Sequence, residues 1–168
     1  MTAYVVTGPA ASGKSTLGEA LARRTGAVLL DLATLPNPLL EAVFAGAGGH
    51  WNDDDRRAQV PPARNAVLRD VARTQVALGH DVVLVAPFTA ELRGGPEWAL
   101  LRAALDPADV RVLWLTAPAA VLAARAAARG LDRDAADRAV TGVAEPRVPH
   151  RVVDATTPTA LQVEHLFE

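Results

Sequence analysis

The stretch Gly8-Pro9-Ala10-Ala11-Ser12-Gly13-Lys14-Ser15 constrains this chain more than any other part of it. It satisfies the pattern G-x-x-x-x-G-K-[ST] in full. The run Tyr4-Val5-Val6-Thr7 precedes it and reads as a buried strand. Lys14 to Arg24 follows and reads as a helix, with Leu17, Ala20 and Leu21 on one face and Gly26 as its stop. Gly8 and Gly13 permit backbone angles that a Cβ would penalise. The loop N–H groups then converge at a helix N-terminus, where the dipole favours anions. Lys14 can reach the β- and γ-phosphates of a nucleotide, and the Ser15 hydroxyl can hold Mg²⁺. The expected nucleotide-binding residues are Gly8 to Ser15 with the adjoining Thr16. The pattern specifies a bound nucleoside triphosphate but not the fate of its phosphate.

The use of lysine supports this reading. The chain has 17 Lys and Arg residues, and Lys14 is the only lysine among them. Arginine is a planar fork, whereas lysine is a compact charge on a flexible stem. A chain that uses arginine everywhere else keeps lysine at the position where a point charge is needed.

Strand and helix patterns alternate along the rest of the chain. Ala27 to Asp31 reads as a second strand, Asp81 to Pro87 as a third, Val110 to Leu115 as a fourth and Arg151 to Asp154 as a fifth. Helices are expected over Pro36 to Ala45, Pro62 to Leu78, Pro96 to Leu105 and Pro118 to Arg129, with a last one opening at Thr157-Pro158. Five such alternations predict an α/β fold, a five-stranded parallel sheet between two helical layers. Its 168 residues suit one domain, 1–168, with no internal repeat or linker.

At this point the chain resembles the small P-loop kinases: shikimate kinase, gluconate kinase, adenylylsulfate kinase and chloramphenicol phosphotransferase. The resemblance spans nearly the whole chain. It implies a P-loop NTPase three-layer α/β/α sandwich of the nucleoside-monophosphate-kinase type, using ATP and Mg²⁺. In those kinases the second strand ends in an acid, which falls here on Asp31 of Leu30-Asp31-Leu32. The resemblance places Asp31 near Mg²⁺ and the γ-phosphate, so Ser15 and Asp31 are the metal candidates and Asp31 also faces the acceptor. The family's second acid falls on Ala33. Either Asp31 serves alone, or an acid from Asp53-Asp54-Asp55 reaches in, or the chain transfers little phosphate.

The family's lid resembles Leu122-x-x-Arg125-x-x-x-Arg129-Gly130-Leu131-Asp132-Arg133, so a lid is expected over residues 129–138. Arg125 and Arg129 share a helix face. The resemblance gives Arg125 to the adenine and Arg129 to the phosphates, as a catalytic group beside Lys14 and Asp31. A solvated, salt-bridged helix end would carry the same arginines. The loop His150 to Pro158 falls where the family meets the adenine edge. On the acceptor side, the strand ends offer Asp31, Thr34, Pro87, Phe88, Thr89 and Glu91. Arg64, on the helix before the third strand, matches a family arginine that binds the acceptor. Asp31, Arg64 and Thr89 are therefore the substrate candidates, and residues 46–57 form a possible acceptor-side loop.

No acid ends Val82-Val83-Leu84-Val85-Ala86, where motor and AAA-type ATPases carry one to order water and Mg²⁺. This favours an ATP-dependent kinase acting on a hydroxyl of a metabolite, sugar acid or antibiotic. A nucleoside, nucleotide or nucleic-acid-end kinase is one alternative, and a nucleotide-binding regulatory protein is the other. A net charge of −2 argues against a nucleic-acid partner. The absence of cysteine excludes disulfides and thiolate metal sites. No basic-then-apolar opening and no long apolar run is visible, so a cytoplasmic chain without a membrane partner is expected.

Overall fold

Continuous apolar strands need cover on both faces, and the computed structural model places them accordingly; it describes residues 1–46, 60–129 and 144–168. The strands are β1 (Thr2–Thr7), β2 (Val28–Asp31), β3 (Val82–Val85), β4 (Asp109–Thr116) and β5 (Arg151–Asp154). They form one all-parallel sheet in the order β2-β3-β1-β4-β5. The described helices are α1 (Lys14–Thr25), α2 (Asn37–Gly46), α3 (Val60–Ala77), α4 (Pro96–Ala104), α5 (Ala119–Arg129) and α6 (Thr159–Leu166). The expected α/β sandwich is the fold observed. None of the described helices is long and apolar enough to cross a membrane.

Strand alternation sorts the core into two layers. Ala3, Val5, Val82, Leu84 and Val112 face α3 and α4, meeting Leu68, Ala72, Val76, Leu101 and Leu105. Tyr4, Val6, Val83, Val85, Leu113 and Leu115 face α1 and α6, meeting Leu17, Leu21 and Val163. Helix α1 lies unusually close to the sheet. Gly18 permits this, because a Cβ there would stand 2.4 Å from Val85 Cγ2.

Several ends differ from expectation for local reasons. β3 stops at Val85, since Pro87 has no N–H to give the ladder. At its other end Asp81 serves as a clasp: Thr2 N–H donates to its Oδ1 at 2.8 Å, and Val28 N–H to its carbonyl at 2.9 Å. Pro158 precedes α6 instead of opening it, with φ −53° and ψ 139°. A 3-10 turn, Glu91–Arg93, follows β3 and has no counterpart in the sequence reading.

Candidate active site

Residues 8–15 join the end of central strand β1 to α1. Three of them have positive φ: Gly8 at 148°, Ala11 at 59° and Gly13 at 92°. Gly8 is obligatory, since a Cβ there would meet Leu115 O at 2.5 Å. Gly13 caps α1 in the left-handed conformation, and its carbonyl accepts Leu17 N–H at 3.0 Å. Lys14 is the first helical residue, and its Nζ donates to Pro9 O at 2.7 Å. The same carbonyl takes Ser12 N–H at 3.3 Å. The ammonium is thus folded across the loop. Ser15 and Thr16 are exposed on the first turn of α1.

A cavity of about 310 Å³ opens beside this loop. Its lining includes Ala11, Ser12, Gly13, Thr16, Arg125, Thr156, Thr157, Pro158 and Gln162. The structure therefore brings together the loop, Arg125 and the stretch after β5, which the sequence offered separately. Its walls are fixed by hydrogen bonds. The buried Gln162 Nε2 donates to Asp154 O at 3.0 Å and to Thr157 O at 2.8 Å. Asp154 Oδ1 accepts the Thr156 hydroxyl at 2.7 Å and the Thr156 N–H at 2.8 Å. The Thr156 hydroxyl, with its backbone N–H, holds the Asp154 carboxyl below its ordinary range. Gln162 carried no local sequence signal; its role depends on two carbonyls in the preceding loop. His150 and Arg151 are not in this lining. His150 meets Val148 O and Glu145, and Arg151 donates to the carbonyls of His165 and Leu166.

Asp31 ends β2 at the sheet's C-terminal edge and is 6% exposed. Its register partner is Val85, which pairs in turn beside β1 at Val6. The carboxylate is thus two strand spacings from β1, about 10 Å. Asp31 Oδ1 accepts Ala33 N–H at 2.7 Å, and its carbonyl accepts the Thr34 hydroxyl at 3.1 Å. Half of this carboxylate therefore shapes a turn. Among the described residues, no three His, Cys, Asp or Glu side chains gather as a metal site.

Beyond β3 the chain turns sharply. Thr7 Oγ1 donates to Pro87 O at 2.8 Å, and the buried Phe88 adopts a left-handed φ of 46°. This conformation is strained for a non-glycine residue. A second cavity, about 420 Å³, lies here, lined by Pro87, Thr89, Leu92, Arg93, Trp114, Ala144, Glu145 and Arg147. Trp114 is the register partner of Thr7, so this cavity borders the strand that enters the phosphate loop. Trp114 shares a sheet face with Val112, and the first cavity lies on the α1 side. Thr89 is in this lining, whereas Arg64 is not; it sits half-buried on α3. Its neighbour Asn65 donates to Glu91 Oε1 at 2.8 Å, and the other oxygen of the buried Glu91 has no hydrogen-bond partner among the described residues. Arg129 is the last residue of α5, and its side chain is outside the described set. Residues 47–57 of the expected acceptor-side loop and 130–138 of the expected lid also lie outside it.

A family profile described as an AAA domain matches residues 4–146. No curated protein matches the chain in sequence. Among solved structures it is similar to a sugar kinase from Janibacter sp. HTCC2649, at 20% identity and TM-score 0.65, covering 99% of this chain and 92% of that one. It is similar to a gluconokinase from Sinorhizobium meliloti 1021, at 24% identity and TM-score 0.63, covering 97% and 87%. It is also similar to a shikimate kinase from Aquifex aeolicus, at 17% identity and TM-score 0.57, covering 99% and 94%. Two of these are relatives that the sequence resembles, and the likeness is one of fold.

Proposed function

The chain belongs to this AAA-domain family, and from that premise we propose that it is an ATP-dependent kinase that phosphorylates a hydroxyl group of a small molecule. The observation that carries the reading is the pair of cavities, which share no residue and lie on opposite sides of the sheet edge around one phosphate loop. A two-substrate transfer needs this layout: a base beside Arg125 and Thr156–Pro158, phosphates in the loop, and an acceptor beyond β3. The end of β3 and the Ala86-Pro87 that follow it offer no acid, so the ordered-water chemistry of motor ATPases has no carboxylate there.

The donor set fits Mg²⁺ bound mostly by phosphate oxygens and water. The Ser15 hydroxyl would contribute directly, with Asp31 behind it. When bound, the ion neutralises phosphate charge. Lys14 exchanges Pro9 O for a phosphate oxygen. The acceptor oxygen bonds to the γ-phosphorus as the bond from phosphorus to the bridging oxygen breaks, and ADP leaves. The hydroxyl proton passes to the Asp31 oxygen that the Ala33 turn does not use. Arg125 holds the base, and Arg129, one turn further, meets the phosphates. Catalysis is then positioning and charge neutralisation.

The test is ATP consumption with panels of hydroxyl-bearing metabolites, sugar acids, antibiotics and nucleosides. Wild type should phosphorylate a member of the first three panels, and Lys14→Ala should not. Turnover of nucleosides alone would move the reading to a nucleoside kinase. No turnover by a chain that binds ATP would favour a nucleotide-binding regulator.

A further inference from the structure

The turn that leaves β3 is strained at Phe88, where φ is 46°. Glycine takes this conformation freely and phenylalanine does not. The ring is kept because it fills the core: Phe88 is buried and packs in one cluster with Leu32, Leu68 and Leu92. Its backbone must therefore be held from outside the residue.

The hold comes from Thr7. On β1, Val6 O still accepts Ala86 N–H, at 3.3 Å. One residue later Pro87 has no N–H to give, and the ladder ends. There the Thr7 hydroxyl donates to Pro87 O at 2.8 Å instead. That carbonyl belongs to the planar peptide joining Pro87 to Phe88, so its direction and the φ of Phe88 change together. Turning the plane over would release Phe88 from its left-handed angle and break the Thr7 bond. A net hydrogen bond and one left-handed residue are comparable in size, so a single hydroxyl can decide which way the plane faces. Thr7 is fully buried, whereas Pro87 is exposed. With a methyl group in place of the hydroxyl, the carbonyl would find its donor in water.

This plane lies in the wall of the second cavity. Pro87 and Thr89, on either side of Phe88, both line the 420 Å³ space. The far end of the turn is pinned separately, by Asn65 to Glu91 and by Arg147 N–H to Leu92 O. Thr7 pins the near end, and the next residue is Gly8, the first of the phosphate loop. Gly8 lies hard against Leu115 O, so the end of β1 has little room to shift. One rigid strand end thus supports both the loop and the cavity wall.

We infer that Thr7 is a positioning residue for the transfer: its hydroxyl holds the Pro87–Phe88 peptide in the direction that sets Pro87 and Thr89 for the acceptor, in register with the phosphate loop. The word acceptor rests on the kinase reading; the hold on the peptide does not.

Two measurements separate them. Thr7→Val keeps the shape of the side chain and removes the donor, and Thr7→Ser keeps the donor. In the first, NMR of the full nucleotide-free chain reads the peptide itself. The NOE between the Phe88 N–H and Pro87 Hα depends on the direction of the plane. It should change in Thr7→Val and return in Thr7→Ser. An unchanged NOE in Thr7→Val overturns the inference, whatever the panels yield. In the second, turnover is followed with whichever acceptor the panels identify. Thr7→Val should raise the acceptor KM about five- to tenfold, because only the fraction with the peptide correctly turned binds. Its kcat should stay within about threefold, since bound acceptor restores the wall, and binding of a fluorescent ATP analogue within about twofold. Thr7→Ser should recover the acceptor KM. An acceptor KM unchanged in Thr7→Val, or not recovered in Thr7→Ser, overturns the inference and leaves the kinase reading intact. So does ATP-analogue binding weakened as much as the acceptor, which would assign Thr7 to the phosphate loop alone. A peptide that turns in Thr7→Val, in a chain that phosphorylates nothing, sinks the kinase reading and leaves the Thr7 hold standing.

Discussion

Replacing Gly18 by alanine sets two physical effects of opposite sign against each other. In an exposed helix this change stabilises by about 1 kcal/mol, because glycine is the poorer helix former. Here the added Cβ would stand 2.4 Å from Val85 Cγ2, 3.4 Å from Leu29 Cδ1 and 3.7 Å from Val83 Cγ1. Carbon atoms pack best near 3.5–4.0 Å, so the first contact is short by about 1 Å. Val85 is 2% exposed and β-branched, so it has little freedom to turn aside. Either α1 backs away from β3 or Val85 leaves its rotamer, and such overpacking costs about 1–3 kcal/mol. The net expectation is a loss of about 1 kcal/mol. Val85→Ala removes the offending methyl and costs roughly 2 kcal/mol alone. In that background Gly18→Ala should become stabilising, a coupling of about 2 kcal/mol. Urea unfolding of the four chains measures the cycle. Lys14 lies one turn upstream on the same helix, so binding of a fluorescent ATP analogue should weaken in Gly18→Ala and recover in the double variant. If Gly18→Ala alone matches or exceeds wild-type stability, or if Val85→Ala leaves its effect unchanged, the close approach of α1 is not what requires glycine.

Asp31→Asn keeps an acceptor for Ala33 N–H, so stability should stay within about 1.5 kcal/mol while kcat falls by about two to four orders of magnitude. Asp31→Ala should lose the same activity and an additional 1–3 kcal/mol or so, because the turn N–H loses its partner; turnover and urea melts together distinguish the two. Thr156→Ala should move the Asp154 carboxyl titration upward, towards its ordinary value, as read by NMR. A carboxyl depressed on folding stabilises above its unfolded pKa, and that stability is lost as pH falls through the folded value. The stability difference between wild type and Thr156→Ala should therefore be present at neutral pH and vanish in acid.

What the sequence disclosed follows the range of the interactions involved. The Gly8–Ser15 loop was legible because its conformation is set within a few residues, by two glycines between a strand and a helix. The parallel sheet was legible because Val82 to Val85 is apolar on both faces. The position of Asp31 was visible too, but its hydrogen bond to Ala33 was not, because a turn leaves no periodic trace. Least legible was the wall of the second cavity. Arg93 ends a 3-10 turn that no local pattern marks. Arg147 reaches it through one backbone hydrogen bond to Leu92, more than fifty residues away in sequence. The Asn65–Glu91 pair likewise joins α3 to a turn beyond β3. Such contacts are fixed by tertiary packing alone.

The lone lysine gives the molecule an unusual chemical address. Lys14 is the only side-chain amine in the chain, and it lies across the phosphate loop against Pro9 O. Any amine-directed acylation, carbamylation or cross-linker has that one side chain to find, besides the terminal amine. The fraction labelled at Lys14, resolved from label on the terminal amine by peptide mapping, should rise together with the inactivated fraction. Bound nucleotide should shield it, so the extent of labelling at Lys14 becomes a direct gauge of occupancy. Immobilisation through Lys14 would select against working molecules, whereas the sixteen arginines leave the rest of the surface inert to such reagents.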